Sequence, residues 1–110
     1  MVMSRSTSSP GNTSSSKLTN AAIVGGGKGC KSILEMVQGD TLGQFRMRVL
    51  GVADVDPEAI GIRYAQELGV LFVTTDYREL YEIPDLRVII ELTGDDAIRD
   101  EIERTRPKHL

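Results

Sequence analysis

The chain has 110 residues, 26% of them charged, with a formal net charge of −3 and one cysteine. That length holds one domain at most, and the near-neutral charge argues against a nucleic-acid footprint. The lone Cys30 excludes an internal disulfide and suits a reducing compartment such as the cytoplasm, and no apolar run reaches the roughly 18 residues of a membrane span.

The charge is uneven along the chain. Arg5, Lys17, Lys28 and Lys31 precede the first acid, Glu35, which leaves nine basic against 16 acidic residues, or −7, over the rest. A basic start suits a phosphate ligand; a short segment that simply lacks acids is the plain alternative.

Residues 1–17 are rich in Ser, Thr, Gly and Pro. Burial there cannot offset the entropy of ordering, so a disordered tail or linker is expected. It lacks the apolar segment of a secretory signal. About 90 residues, 18–110, remain to form the folded domain.

Residues 20–24 read as the first strand. Ile33, Leu34, Met36 and Val37 recur at helical spacing, so a helix is predicted over 29–38. Gly39-Asp40 ends it and 41–44 is a loop. The second strand, 46–54, starts with Arg46 and Arg48 alternating with Met47 and Val49. Asp56-Pro57-Glu58 reads as the start of a second helix, with Asp as cap and Pro in the first turn. That helix sets Ile60, Tyr64, Ala65 and Leu68 on one face and stops at Gly69.

Residues 70–73 form a short third strand. Asp76 and Glu79 open a short helix that Pro84 ends. Val88-Ile89-Ile90-Glu91-Leu92 is the fourth strand, and a charged helix over 95–106, with only Ala97, Ile98 and Ile102 apolar, stops at Pro107. This alternation implies a parallel sheet with right-handed crossovers, strand order 3-2-1-4, in a three-layer α/β arrangement. The fourth strand is apolar on both faces, as an interior strand is, yet it would stand at the edge. Either another chain covers it, or the sequence is the front of a longer protein truncated before a fifth strand; the second reading is preferred.

One stretch predicts a ligand. Ala21-Ala22-Ile23-Val24-Gly25-Gly26-Gly27-Lys28-Gly29-Cys30 runs from strand through glycine-rich turn to helix, and Val49-Leu50-Gly51-Val52-Ala53-Asp54 is a strand that ends in an acid. This is the layout of a dinucleotide-binding βαβ unit, hence of a Rossmann-like sheet. Gly25 lets the chain turn off the strand, Gly27 lets backbone approach a pyrophosphate, and Cys30 stands where a third small residue is wanted. A tight turn without ligand is the alternative. Asp54 can accept both ribose hydroxyls and would repel a 2′-phosphate, which favours NAD over NADP; otherwise it braces the loop.

Thr93-Gly94 lies where the middle of a dinucleotide would pass, and Glu91 either faces that site or reaches solvent. The cofactor-binding candidates are therefore Gly25, Gly26, Gly27, Lys28, Gly29, Cys30, Asp54, Thr93 and Gly94. A P-loop reading of Gly25 to Ser32 fails because the Walker pattern needs glycine where Cys30 stands. Cys30, beside Lys28 and Lys31 at a helix start, is either a redox-sensitive thiolate or a packed, inert thiol. No metal-ligand cluster and no Ser/His/Asp arrangement is visible. Tyr64, Tyr77 and Tyr81 read as packing residues.

Ala22-Ile23-Val24-Gly25-Gly26-Gly27 with Val49-Leu50-Gly51-Val52-Ala53-Asp54-Val55-Asp56-Pro57-Glu58 resembles the cofactor domain of the glucose–fructose oxidoreductase/inositol dehydrogenase family. Val88-Ile89-Ile90-Glu91-Leu92-Thr93-Gly94 is similar to the corresponding strand of homoserine dehydrogenases, and Asp54 to Gly61 is similar to redox-sensing repressors. The resemblance covers about residues 20–106 and implies NAD(P) on Gly25, Gly27, Asp54 and the Thr93-Gly94 turn. Those enzymes carry a catalytic lysine, often in a Glu-Lys-Pro segment, and a substrate domain; neither stands in this sequence. Rossmann domains of this kind also occur at the front of bacterial signalling proteins. The expectation is an NAD(H)-binding regulatory or sensing module of a larger signalling protein, not catalytic alone. The alternatives are the cofactor half of an oxidoreductase, or a non-binding scaffold that dimerises through the fourth strand.

Overall fold

The computed structural model describes residues 18–40, 44 and 46–110. The Ser-rich segment 1–17 and most of the expected loop, Thr41 to Gly43, lie outside the described residues. Four parallel strands, β1 (Thr19–Val24), β2 (Met47–Ala53), β3 (Phe72–Thr74) and β4 (Val88–Glu91), form one sheet in the order β3-β2-β1-β4. Helices α1 (Lys28–Gln38), α2 (Ile60–Leu68) and α3 (Asp96–Thr105) and a 3-10 helix (Tyr77–Glu82) follow the strands in turn. The protein is an α/β fold with a Rossmann-like sheet, as the alternation of strand and helix signals predicts.

The sheet divides two cores. On one face Ile23 and Val52 meet Cys30 and Leu34 of α1 and Ile62 and Ala65 of α2. On the other, Ala22, Val24 and Ala53 meet Leu80, Ile83, Leu86 and Ile102 from the 3-10 helix, its exit and α3. β1 is central, so both its faces must be apolar, and Ala21, Ala22 and Ile23 are wholly buried. Its register pairs Val24 with Ala53 and with Glu91, while Ala53 pairs with Thr74. The four carboxyl ends are therefore level, and the loops beginning at Gly25, Asp54, Thr75 and Leu92 leave the sheet along one rim.

Two boundaries differ from expectation, each through a competing bond. Asp56 does not cap α2: its carboxylate accepts the Glu58 N–H (2.9 Å) and its carbonyl the Ala59 N–H (3.1 Å), which closes a turn ahead of the helix. Helical bonding begins with Arg63 N–H to Ala59 C=O. The buried face of α2 is Gly61, Ile62 and Ala65, and Ile60 is 45% exposed. Val70 belongs to the end of α2 rather than to β3. Gly69 is left-handed (φ 78°), and the Gly69 and Val70 N–H groups donate to Gln66 and Ala65 carbonyls, a Schellman closure.

Candidate functional site

The rim is built around the glycine turn. Gly25 has φ +110°, where glycine is favoured, and a β-carbon there would lie 3.0 Å from both Leu92 C and Thr93 N. The first fingerprint glycine thus serves two needs: it turns the chain off β1 and lets the loop after β4 lie against it. Gly26 is bonded on both sides. Its N–H donates to Asp54 Oδ2 (2.6 Å) and its carbonyl accepts the Gly61 N–H (2.6 Å).

Gly27 is the N-cap of α1 in extended conformation, with no side-chain cap, and a β-carbon on it would meet nothing within 4 Å. Lys28 and Gly29, in the first helical turn, are exposed, and no acid stands in that turn. An 11-residue helix therefore presents its positive end, uncapped by any side chain, to an open surface.

Asp54, half-buried at the end of β2, accepts Gly26 N–H on Oδ2 and Asp56 N–H on Oδ1 (2.8 Å). Two amides thus fix its orientation, and the loop-bracing role is real. A carboxylate has about four acceptor positions, so capacity for two further donors remains. Val55 next to it is 82% exposed. A shallow recess of about 340 Å³ opens beside the β3 end, lined by Pro57, Ile62, Gln66, Thr74 and Thr75 among others.

Cys30 is fully buried. Burial, with a smaller push from the Asp54 carboxylate, raises its thiol from 9.0 to about 11. It is protonated at neutral pH and acts as packing; the thiolate alternative does not hold. Lys31 sets its ammonium 5.6 Å from the centre of the Tyr64 ring on α2, so it does not serve the turn as a P-loop lysine would.

Thr93 and Gly94 sit in the loop after β4, both exposed. Glu91 Oε2 accepts the Thr93 N–H (2.6 Å) and the Thr93 hydroxyl, and Thr93 Oγ1 accepts the Asp95 N–H (3.0 Å). Glu91 therefore braces the turn that flanks Gly25. No protein-family model and no curated protein matches this chain. The functional reading rests on the residues themselves.

The structure brings the glycine turn, Asp54 and the Leu92–Thr93 backbone to one rim. It adds two residues that sequence reasoning missed, Gly61 and Ile62. A β-carbon on Gly61 would lie 2.6 Å from Gly26 O, 2.8 Å from Gly27 O and 2.9 Å from Cys30 Cβ, and one on Gly26 would lie 2.7 Å from Ile62 Cγ1. A glycine inside a helix costs about 1 kcal/mol against alanine, which was the available signal at Gly61. Among the described residues no group of His, Cys, Asp and Glu can hold a metal, and no helix is long and apolar enough to cross a membrane. Tyr77 bonds Glu101 and Tyr81 pairs with Thr105 (2.9 Å), which ties the 3-10 helix to α3.

Proposed function

We propose that this chain binds NAD(H) along the rim and serves as a regulatory or sensing module, not as a catalyst on its own. The observation that carries the reading is the Gly26–Asp54 bond. It joins an uncapped helix N-terminus to a carboxylate at the end of the neighbouring strand, which are the two fixed points a dinucleotide needs.

The pyrophosphate would take the amides of Gly27, Lys28 and Gly29, with Lys28 adding charge. The bare surface over Gly27 suits that close approach. The adenosine ribose would donate its hydroxyls to the remaining acceptor capacity of Asp54, and the base would have the exposed Val55 and the recess beside β3. A 2′-phosphate would face the Asp54 charge, so NADP is disfavoured. Cys30 in the third fingerprint position is no obstacle, because its side chain packs beneath the turn against Gly61. The Thr93-Gly94 turn would flank the middle of the ligand. Bound nicotinamide accepts or carries a hydride. Among the described residues, Asp54, Glu91 and Thr93 at the rim are engaged in bracing its loops, which supports reading the NAD/NADH ratio rather than turning it over. The likeness of Val88 to Gly94 to homoserine dehydrogenases favours a second reading, the cofactor half of an oxidoreductase.

The test is thermal unfolding with NAD, NADH, NADP, ATP or buffer alone. A ligand at about 100 times its Kd adds roughly 2.7 kcal/mol, which raises the midpoint of a domain this size by on the order of 10 °C. NAD or NADH should give that shift, NADP much less, and Asp54→Ala should lose the ligand-dependent part. Absence of a shift with every nucleotide overturns the reading and leaves the rim a fold element.

A further inference from the structure

We propose that two copies of this chain join edge to edge through β4, antiparallel about Ile89, independently of any dinucleotide. β4 pairs with β1 and, among the described residues, with no other strand. The Leu92 N–H donates to Val24 C=O on β1 (2.8 Å). At the other end the Arg87 N–H donates to Asn20 C=O (3.0 Å), so the span that keeps a strand period of two is Val88–Glu91, in which Ile90 and Val88 turn backbone groups toward β1 and Ile89 and Glu91 turn theirs outward. A two-fold axis beside Ile89 makes Ile89 and its copy a pair that exchanges both backbone bonds, the pairing those outward groups require.

The side chains select the occupant. Read about Ile89, the segment Arg87-Val88-Ile89-Ile90-Glu91 is its own complement. Val88 falls opposite Ile90 of the second copy, and the exposed Arg87 side chain, one residue ahead of the strand, falls beside Glu91 as a charge contact outside the ladder, twice by symmetry. Arg87 is exposed and forms none of the ion pairs found among the described residues. Glu91 commits Oε2 to Thr93, and its Oε1 makes no hydrogen bond among the described residues.

Beside this edge runs an open groove of about 330 Å³, whose α3 wall carries Arg99, Glu103 and Arg106. A wall of both signs suits a second copy of itself better than a partner of one sign. Val88, an exposed apolar residue, would be covered. A slip of one residue would set Arg87 against Ile90 and destroy both charge pairs, so the register is specified.

Sedimentation of the 110-residue chain across about 1 to 300 μM, without nucleotide, should show a reversible dimer. Arg87→Glu and Glu91→Arg each set like charges opposite one another and should weaken the dimer at least about tenfold. The double variant restores opposite charges and should recover most of the affinity. Mixing the two single variants should give a mixed dimer, because their mismatches cancel. Circular dichroism establishes that each variant is folded, and Arg87→Glu, at an exposed side chain, carries the test should Glu91→Arg disturb the Thr93 turn. A monomer at every concentration, single variants that dimerise like the parent, or failure of both the double variant and the mixture to recover pairing would overturn the proposal. The first of these would assign the edge to a strand of another kind.

Discussion

Replacing Gly61 by alanine tests how the rim is held together. In an exposed helix this change stabilises by about 1 kcal/mol, because alanine loses less backbone freedom on folding. At Gly61 the new methyl would sit 2.6 and 2.8 Å from the Gly26 and Gly27 carbonyl oxygens and 2.9 Å from Cys30 Cβ. Two of these neighbours are backbone of a turn pinned by Asp54, so they cannot swing aside as a side-chain tip would. Overpacking costs roughly 1–3 kcal/mol, and three close contacts put this site at the upper end. The net effect is a loss of about 1–2 kcal/mol, or on the order of 4–15 °C in Tm for a domain of this size. Gly29→Ala is the control, since its methyl would meet only Leu92 Cδ1, at 3.7 Å, inside α1. It should raise Tm by a few degrees. Calorimetry of both variants without ligand gives opposite signs if the packing argument holds. A Gly61→Ala chain as stable as the parent, or more so, refutes the close seating of α2 on the turn.

Three further outcomes follow from single contacts. Asp95→Ala removes the carboxylate that accepts the Ala97 N–H at the start of α3 and should cost about 1 kcal/mol, read as a lower Tm. Tyr77→Phe deletes the hydroxyl that bonds Glu101 and should lower the urea midpoint by the equivalent of about 1 kcal/mol, while Arg78 keeps its longer contact to Glu101 (3.8 Å). The buried thiol gives two readouts. Iodoacetamide at pH 8 should label Cys30 in the folded chain roughly a hundredfold more slowly than in urea. Because folding raises its pKa from 9.0 to about 11, the folded form binds the proton more tightly. Stability from this group is intact below pH 9 and falls as pH rises toward 11, and Cys30→Ala should remove that part of the decline.

What could be read in the sequence was what local chemistry decides. The turn at Gly25, the cap at Asp76 and the helix stop at Gly69 act within a few residues, and each stands where its side chain or backbone predicts. Strand order followed from the alternation of elements and one handedness rule. The start of α2 was not legible, because the Gly61 N–H is taken by a carbonyl on another element, a contact between residues 35 positions apart. Its buried face was legible at Tyr64, Ala65 and Leu68 but not in the first turn, where docking on the glycine turn set Ile62 inward and Ile60 out. At the rim, the sequence marked Asp54 but not its two amide partners. Glu91, left between site and solvent, has an intermediate answer as a brace for Thr93.

The wall that Leu92 and Thr93 place against Gly25 has a consequence for assembly. The glycine turn and Asp54 lie early in the chain and can meet once β1 and β2 are paired, but the wall arrives only with β4, after closure of a much longer loop. A nascent or clipped chain that ends before β4 therefore carries the recognisable fingerprint with an unfinished groove. Ligand competence would then report completion of the whole sheet, and a nucleotide could serve as an indicator of whether the last strand has docked.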